Sequence, residues 1–318
     1  MPPMNFLMLA ARSVSVVATV FLTLTPAHGE DAFKAFKQLD GSVKMPKLNA
    51  FSANMGGTIQ ASTSRNVSLE ARLTNDGEAM QQGLSWRVFS PIPGADGKLP
   101  LLASAEGGSA DFQLAPGDYF VNVSFGRAGA TKKLTVPREG EMEKQVMVLD
   151  AGGIILNAVS GPDTRIPAKE LKFDIYSAEA QADGERGLVL ADVNPNTIVR
   201  LNAGTYHIVS EYGSVNAVVR ADIKVEAGKL TEAVVQHHAS QINLKLVSEP
   251  GGEAIADTAW SVLAGSGDIV AESVSAFPVM VLAEGEYTAV ARNKDKIYQK
   301  DFAVDAGRNE DVEILLTQ

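Results

Sequence analysis

The chain has 318 residues, with 38 acidic and 28 basic side chains and a formal net charge of −10. This charge argues against nucleic acid and anionic lipid as partners, because both are themselves negative. The absence of cysteine excludes disulfides, a thiolate nucleophile, cysteine-ligated zinc and a lipidated cysteine.

Residues 1–29 have the pattern of a secretory signal peptide. Arg12 supplies a positive charge, residues 14–25 form an apolar run, and Ala27 and Gly29 are small residues placed for cleavage after Gly29. The run is short for a membrane span, and no later stretch is apolar enough for one. We therefore expect a periplasmic or secreted bacterial protein with no membrane insertion after cleavage; an uncleaved anchor is the alternative.

Residues 30–59 are predicted to form a short helix and a linker. Phe33, Phe36 and Leu39 follow one another at three-residue spacing, and Asp31 can cap the helix. We expect this apolar stripe to pack on the first domain. A docking peptide for a partner is the alternative.

The rest of the sequence repeats a unit three times. The aromatic residues Trp86, Phe173 and Trp260 are spaced 87 residues apart. Each is followed by the phrase Leu-x-x-Gly-x-Tyr, with its glycine and tyrosine at Gly117 and Tyr119, Gly204 and Tyr206, and Gly285 and Tyr287. Such a period predicts tandem domains. The shared residues are expected to fold each unit, so specific function is expected in the residues that the units do not share.

Each unit opens with apolar residues at every second position, which predicts a strand with one buried face. These residues are Val67, Leu69, Ala71 and Leu73, then Ile154, Leu156 and Ala158, then Ile242, Leu244 and Leu246. The pattern divides the chain into three domains, at residues 60–150, 151–239 and 240–318. Because the joints between them are short, we expect a fairly stiff rod.

Turn signals separate the strands within each unit. Asp96-Gly97 and Asp183-Gly184 mark hairpins, since both residue types tolerate positive φ. About seven short strands per unit predict an all-β chain of three tandem antiparallel β-sandwiches, immunoglobulin-like or transthyretin-like. A tyrosine at the Gly-x-Tyr corner is expected to bury its ring and bond its hydroxyl to nearby backbone.

The phrase Leu-x-x-Gly-x-Tyr, with its following alternating strand, resembles the carboxypeptidase regulatory-like, transthyretin-like and Cna-B-like domains. The first unit matches best, over residues 110–123. The resemblance implies an accessory module of adhesins, stalks and envelope proteins with no chemistry of its own. Some Cna-B-like domains carry a Lys–Asn crosslink beside an acid. The matching places here hold Glu70, Asn157 and Lys245; no lysine recurs, so we do not expect that crosslink.

No catalytic, metal or cofactor site is expected. His207 follows Tyr206 on a strand and should face solvent, and His237 and His238 should face opposite sides of theirs. The sequence has no nucleophile elbow, phosphate loop, dinucleotide fingerprint or His-Glu-x-x-His motif. We expect a non-catalytic protein; an acidic site assembled in space between units is the alternative.

The repeated aromatics could be sugar-stacking platforms, but an aromatic at one position in every unit favours a core role. Two unshared segments are better candidates for binding. One is the proline-rich loop over residues 90–100, with Asp96 and Lys98. The other is the basic hairpin over residues 292–300, with Lys294, Lys296, Tyr298 and Lys300. Solvated loops are the alternative for both.

These observations predict an exported scaffold or adaptor of the bacterial envelope that binds other proteins through loop tips and sheet edges. The alternative is a protein that binds envelope or external polysaccharide. Carbohydrate binding needs exposed aromatics, and only Tyr212, Tyr298 and a few phenylalanines are expected at the surface, which favours a protein partner. The sequence leaves the partner and the oligomeric state open.

Overall fold

The computed structural model describes residues 64–316. The predicted signal peptide, helix and linker lie outside these residues. The described chain is all-β and folds into three β-sandwiches in sequence order, as the repeat predicts. Over residues 64–316 there is no helix long and apolar enough to cross a bilayer.

The first sandwich packs a three-stranded sheet, in the order β4-β1-β7, on a four-stranded sheet, in the order β3-β2-β5-β6. The strands are β1 (Arg65–Arg72), β2 (Leu84–Phe89), β3 (Leu101–Gly107), β4 (Ala110–Leu114), β5 (Gly117–Phe125), β6 (Ala128–Val136) and β7 (Gln145–Val148).

The second sandwich adds a short strand and a 3₁₀ helix, Ala168–Glu170, to the same plan. Its strands are β8 (Ala151–Ser160), β9 (Thr164–Arg165), β10 (Leu171–Ala180), β11 (Arg186–Val193), β12 (Ile198–Asn202), β13 (Gly204–Tyr212), β14 (Ala217–Val225) and β15 (Leu230–His237). The sheets are β12-β8-β15, with β9 on β8, and β11-β10-β13-β14.

The third sandwich has the seven strands of the first. They are β16 (Ala239–Val247), β17 (Ala259–Ala264), β18 (Ile269–Val274), β19 (Val279–Ala283), β20 (Gly285–Asn293), β21 (Lys296–Val304) and β22 (Glu310–Leu315). Its sheets are β19-β16-β22 and β18-β17-β20-β21.

The strands are antiparallel except for one parallel pair in each sandwich: β1 with β7, β8 with β15, and β16 with β22. The predicted antiparallel sandwiches are therefore present, each with one parallel pair that the sequence pattern does not indicate. The reason lies in the connection. In the first sandwich β6 ends at the same end of the sandwich at which β1 begins. The last strand, β7, therefore starts at that end and runs parallel to β1.

The alternating residues that open each unit point into the cores. Val67, Leu69, Ile154, Leu156 and Leu244 are at most 1% exposed. Because side chains alternate along a strand, the intervening residues lie on the outer faces. Each sandwich thus has its own buried cluster of apolar side chains.

The Gly-x-Tyr corner has one geometry in all three units. Gly117, Gly204 and Gly285 begin β5, β13 and β20 with φ of 156°, 157° and 155°, values that residues with a Cβ adopt poorly. Each tyrosine hydroxyl donates to the carbonyl four residues upstream. The three bonds are Tyr119 to Ala115 at 2.8 Å, Tyr206 to Asn202 at 2.9 Å and Tyr287 to Ala283 at 2.9 Å.

Candidate partner-binding surface

The repeated aromatics lie inside the sandwiches. Trp86 and Phe173 are 0% exposed and Trp260 is 2% exposed. The indole nitrogens are also satisfied, since Trp86 Nε1 donates to the Gly108 carbonyl at 2.7 Å and Trp260 Nε1 to the Ser275 carbonyl at 2.9 Å. These rings hold the cores together and present no face to a sugar.

The first joint between sandwiches is made by the tip of the β5–β6 hairpin and the end of β12. The amide of Asn202 donates to the carbonyls of Gly129, at 3.1 Å, and Leu149, at 2.7 Å. Its oxygen accepts a hydrogen bond from the Gly129 nitrogen at 3.2 Å. Beside it, the Arg200 guanidinium lies 4.6 Å from the centre of the Phe125 ring. The joint is therefore largely polar.

The second joint uses the same two elements one sandwich later, the β13–β14 hairpin and the end of β19. The oxygen of Asn216 accepts from the Ala283 nitrogen at 2.9 Å, and its amide donates to the Tyr287 hydroxyl at 2.9 Å. Apolar contacts are exchanged as well: Val281 packs into the core of the second sandwich, and Val215 packs against the core of the third.

The asparagine changes sides between the two joints. Asn202 belongs to the downstream strand end of the first joint, whereas Asn216 belongs to the upstream hairpin of the second. Ala283 holds the place of Asn202, since both lie two residues before the repeated glycine. The sequence analysis did not identify either asparagine, because the two occupy different positions of the repeated unit and so give no recurring signal.

The basic hairpin chosen from the sequence is the third member of this series. Lys294, Lys296 and Ile297 are exposed at the tip of the β20–β21 hairpin, and Ile297 is 67% exposed. No further sandwich covers this tip among the strands of the described chain. Lys300 lies farther along β21, where its ammonium donates to the Glu313 carbonyl at 3.0 Å.

Tyr298 and Tyr212 are corrections. Both were expected at the surface, but they are 7% and 5% exposed and belong to the cores of their sandwiches. Tyr298 alternates in phase with Phe302 and Val304 on β21, and this parity directs it inward. This alternation is present in the sequence, and it assigns Tyr298 to the inner face of the predicted hairpin rather than to its exposed tip.

The proline-rich loop lies at the opposite end of the row of sandwiches. It follows β2, which runs antiparallel to β5, so the loop lies beside the start of β5 and away from the first joint. Asp96 Oδ1 accepts a hydrogen bond from the Lys98 nitrogen at 3.1 Å and shapes the turn. Asp96 and Lys98 are exposed, while Leu99 is buried and anchors the loop.

Pro91, Ile92, Leu102, Pro116 and Tyr119 line a groove of about 790 Å³ at this same end, here called the proximal groove. The side chains of Ile92 and Leu102 are 73% and 52% exposed. The two unshared segments thus lie at the two ends of the row, and each brings exposed apolar surface with it.

His237 and His238 face opposite sides of β15, as alternation requires. His237 is fully buried, with Nε2 2.8 Å from the Ser210 hydroxyl and its ring nearly perpendicular to that of Tyr212, 5.9 Å between centroids. Burial, with a smaller contribution from the charge of His238, lowers the pKa of His237 to about 4. No substrate can reach the Ser210 hydroxyl, because Ser210 and His237 are both 0% exposed. The pair is a contact between the two sheets.

His207 points outward, yet it is not fully solvated. Its Nδ1 lies 2.7 Å from Asp222 Oδ1, and the side chain is 18% exposed. Within residues 64–316 no group of three or more histidine, aspartate or glutamate side chains could hold a metal ion.

The three first-strand positions compared with the crosslinking domains have separate environments. Glu70 accepts hydrogen bonds from Arg72 and Lys144, which lower the pKa of its carboxyl. Lys245 donates to Asp311 at 2.6 Å. The three units therefore do not share one lysine–acid arrangement at this place.

The sequence model of one family, described as the Rhizobiales growth-associated tandem repeat domain, matches residues 241–316, which lie in the third sandwich. No curated protein matches the chain.

Three solved structures are reported among those similar to the chain. The streptococcal ancillary pilin has 12% identity over 79% of this chain and 98% of its own, with a TM-score of 0.29. GBS52, the minor pilin of Streptococcus agalactiae, has 13% identity over 55% and 95%, with a TM-score of 0.31. The Bacillus anthracis TIE protein has 15% identity and a TM-score of 0.23; the match covers 80% of this chain but only 50% of that protein.

Proposed function

We propose that the protein is an exported, non-catalytic scaffold or adaptor of the bacterial envelope, and that it binds other proteins through the tip of its third hairpin. The observation that carries the proposal is the position of this tip. The equivalent hairpins of the first two sandwiches each hold a neighbouring sandwich, and the third exposes Lys294, Lys296 and Ile297 at the same place.

The composition of the tip supports a protein partner. An exposed isoleucine between lysines offers one apolar anchor within a charged rim, which is the usual arrangement of a protein-binding site. The rest of the chain is acidic, so the tip is a local basic feature on a surface of opposite sign. Such a contrast steers association with a partner of complementary charge.

The polysaccharide alternative loses its main support. Tyr212 and Tyr298, the tyrosines expected to stack on sugars, are buried. Among the large hydrophobic side chains exposed on the described chain, Phe277 is the single aromatic, at 52%. Carbohydrate binding uses exposed aromatic faces, and one ring is a poor platform.

Export is supported by the signal-like pattern of residues 1–29 and by the absence of cysteine. The family that matches the third sandwich is described as growth-associated. A scaffold that acts where the envelope grows would fit that description.

The experiment is crosslinking in intact cells that produce a tagged copy, followed by mass spectrometry of the recovered proteins. The variant carries Lys294→Glu and Lys296→Glu. The control carries Lys132→Glu and Lys224→Glu, which make the same charge change on exposed lysines of β6 and β14. We expect the hairpin variant to lose at least one protein that the wild type and control both recover, by about tenfold or more. Equal recovery from all three would contradict the proposal.

A further inference from the structure

We infer that the third hairpin of one copy docks on the first sandwich of a second copy, so that the row of sandwiches continues from chain to chain. The inference rests on the proposed function, because it names the partner of the same hairpin tip.

The first step is the equivalence of the hairpin tips. Ile297 pairs with Arg292, the eighth residue of β20, as Gly129 pairs with Ser124, the eighth residue of β5. Gly129 is the residue whose nitrogen and carbonyl bind Asn202 in the first joint. Ile297 therefore stands at the position that meets the next sandwich.

The same comparison of the three hairpins can be made at Lys294, three residues before Ile297. It has φ of 56°, close to the 65° and 71° of Gly126 and Gly213, which hold the same place in the first two hairpins. Both glycines lie close to the next sandwich, since an added Cβ would be 3.0 Å from Arg200 Cβ at Gly126 and 2.7 Å from Val281 Cβ at Gly213. The third hairpin thus keeps the backbone angle of a joint, but the Lys294 side chain occupies the space that the two glycines leave to the next sandwich, so a docked hairpin sits farther from its partner at this residue.

The second step is the receiving surface. In both joints the hairpin meets the residue two places before the repeated glycine, which is Asn202 or Ala283. The corresponding residue of the first sandwich is Ala115. Among the described strands no upstream hairpin lies against it. Ala115 adjoins Pro116 of the proximal groove, so a docked hairpin would bring Ile297 to that groove.

The third step is chemistry. The first joint can be largely polar, and the second can rely on the small contacts of Val281 and Val215, because the chain tethers the sandwiches and a short tether supplies a high effective concentration. Two separate molecules have no tether and need an apolar anchor to compensate for the lost freedom. The ends carry such an anchor and differ in this respect from the first joint: Ile297 replaces Gly129, and Ile92 and Leu102 border the receiving site.

The two surfaces are different and lie at opposite ends of the described row of sandwiches. Such a contact is heterologous and does not close by two-fold symmetry, so association would continue into open-ended rows rather than stop at dimers.

The absence of native cysteine permits a direct test on the full chain recovered after export. One preparation carries Ala115→Cys and another carries Ile297→Cys. The two are mixed at about 100 µM, because an untethered contact of this size is expected to be micromolar rather than nanomolar. A short bismaleimide then joins neighbouring thiols. A single chain with Arg127→Cys and Arg200→Cys is the positive control, since the backbones of these residues are hydrogen-bonded across the first joint at 3.0 Å. Ser68→Cys mixed with Ile297→Cys is the negative control.

We expect the Ala115 and Ile297 pair to give at least about tenfold more linked dimer than the negative control. We also expect the cysteine-free chain to show mass that rises with concentration in sedimentation velocity. Ile297→Asp should abolish that rise. Val234→Asp, on a similarly exposed apolar residue of the second sandwich, should not.

A linked yield no higher than the negative control, with a monomer at every concentration, would overturn the inference. The proposed function is judged separately in cells. If the Lys294 and Lys296 variant loses a different protein while the pure chain stays monomeric, the proposed function stands and the second copy is excluded as the partner.

Discussion

Asn202 and Gly129 are joined by two hydrogen bonds across the first joint, one in each direction. The side-chain amide of Asn202 pairs with the backbone of Gly129 much as one strand pairs with another. This side chain thereby helps to hold two sandwiches with separate cores in register, together with the backbone bond from Arg127 to Arg200 and the contact of Arg200 with Phe125.

We predict that Asn202→Ala weakens the first joint. It removes the bonds to Gly129 and the bond to the Leu149 carbonyl, and the expected loss is about 2–3 kcal/mol of unfolding free energy. In calorimetry the transitions of the first two sandwiches should separate. Asn66→Ala is the control, since Asn66 accepts one exposed bond from Gln113 and lies away from the joints. An unchanged melting profile for Asn202→Ala would contradict the role of this residue.

The three corner tyrosines should respond unequally to the loss of their hydroxyls. Tyr119→Phe breaks one hydrogen bond, and we expect a cost of about 1 kcal/mol. Tyr287→Phe breaks the equivalent bond and also leaves the Asn216 amide without its acceptor, so we expect about 2 kcal/mol. Urea denaturation of both variants measures the difference. Equal costs would show that the Asn216 contact adds nothing to the second joint.

Substitution of the hairpin glycines should separate backbone strain from contact across a joint. Gly213 has φ of 71°, and a Cβ there would lie 2.7 Å from Cβ of Val281 in the next sandwich. Gly184 has φ of 85° with open space around the same position. We expect Gly184→Ala to cost about 1 kcal/mol from the backbone alone. Gly213→Ala should cost at least about 1 kcal/mol more, from the clash. Thermal unfolding checks the pair, and equal shifts would argue that the second joint is loose.

His237 should make stability depend on pH. Burial lowers its folded pKa to about 4, below the ordinary value of 6.5, so the unfolded chain binds the proton more readily. The contribution is fully present above pH 6.5 and is lost as pH falls through this window toward 4. The slope is at most about 1.4 kcal/mol per pH unit.

The measurement is the free energy of unfolding at several pH values for the wild type and for His237→Gln. The difference between them isolates this histidine from the carboxylates, which titrate in both chains. Parallel profiles between pH 6.5 and 4 would be inconsistent with a neutral, buried His237.

The fold was predictable because its signals recur. Trp86 and Trp260 hold the same core position, and alternation at Leu69 or Leu244 gives the buried face directly. The parallel pairing of the last strand was not predictable in this way, because alternation has no direction. Pairing depends on which end of the sandwich the sixth strand returns to, and that is a property of the whole topology.

The candidate surface was only partly predictable. Lys294 and Lys296 were identified by charge, and the structure places them at a hairpin tip. Their relation to the joints could not be predicted from the sequence, because the bridging asparagine changes position. Asn202 lies at the downstream strand end of the first joint, and Asn216 lies on the upstream hairpin of the second. Tyr298 could have been assigned to the core from its parity with Val304 on β21.

Because the bridging asparagine lies on different partners in the two joints, both joints form only when the three units keep their native order. The middle unit supplies both asparagines, one for each neighbour. A shuffled protein in which the first unit directly preceded the third would bring Gly129 to Ala283 and contain neither. Duplication of the middle unit would bring Asn216 of one copy against Asn202 of the next. The three units share a fold, yet they are not interchangeable modules, and deletion or shuffling of any one of them would break a junction even where every core remained intact.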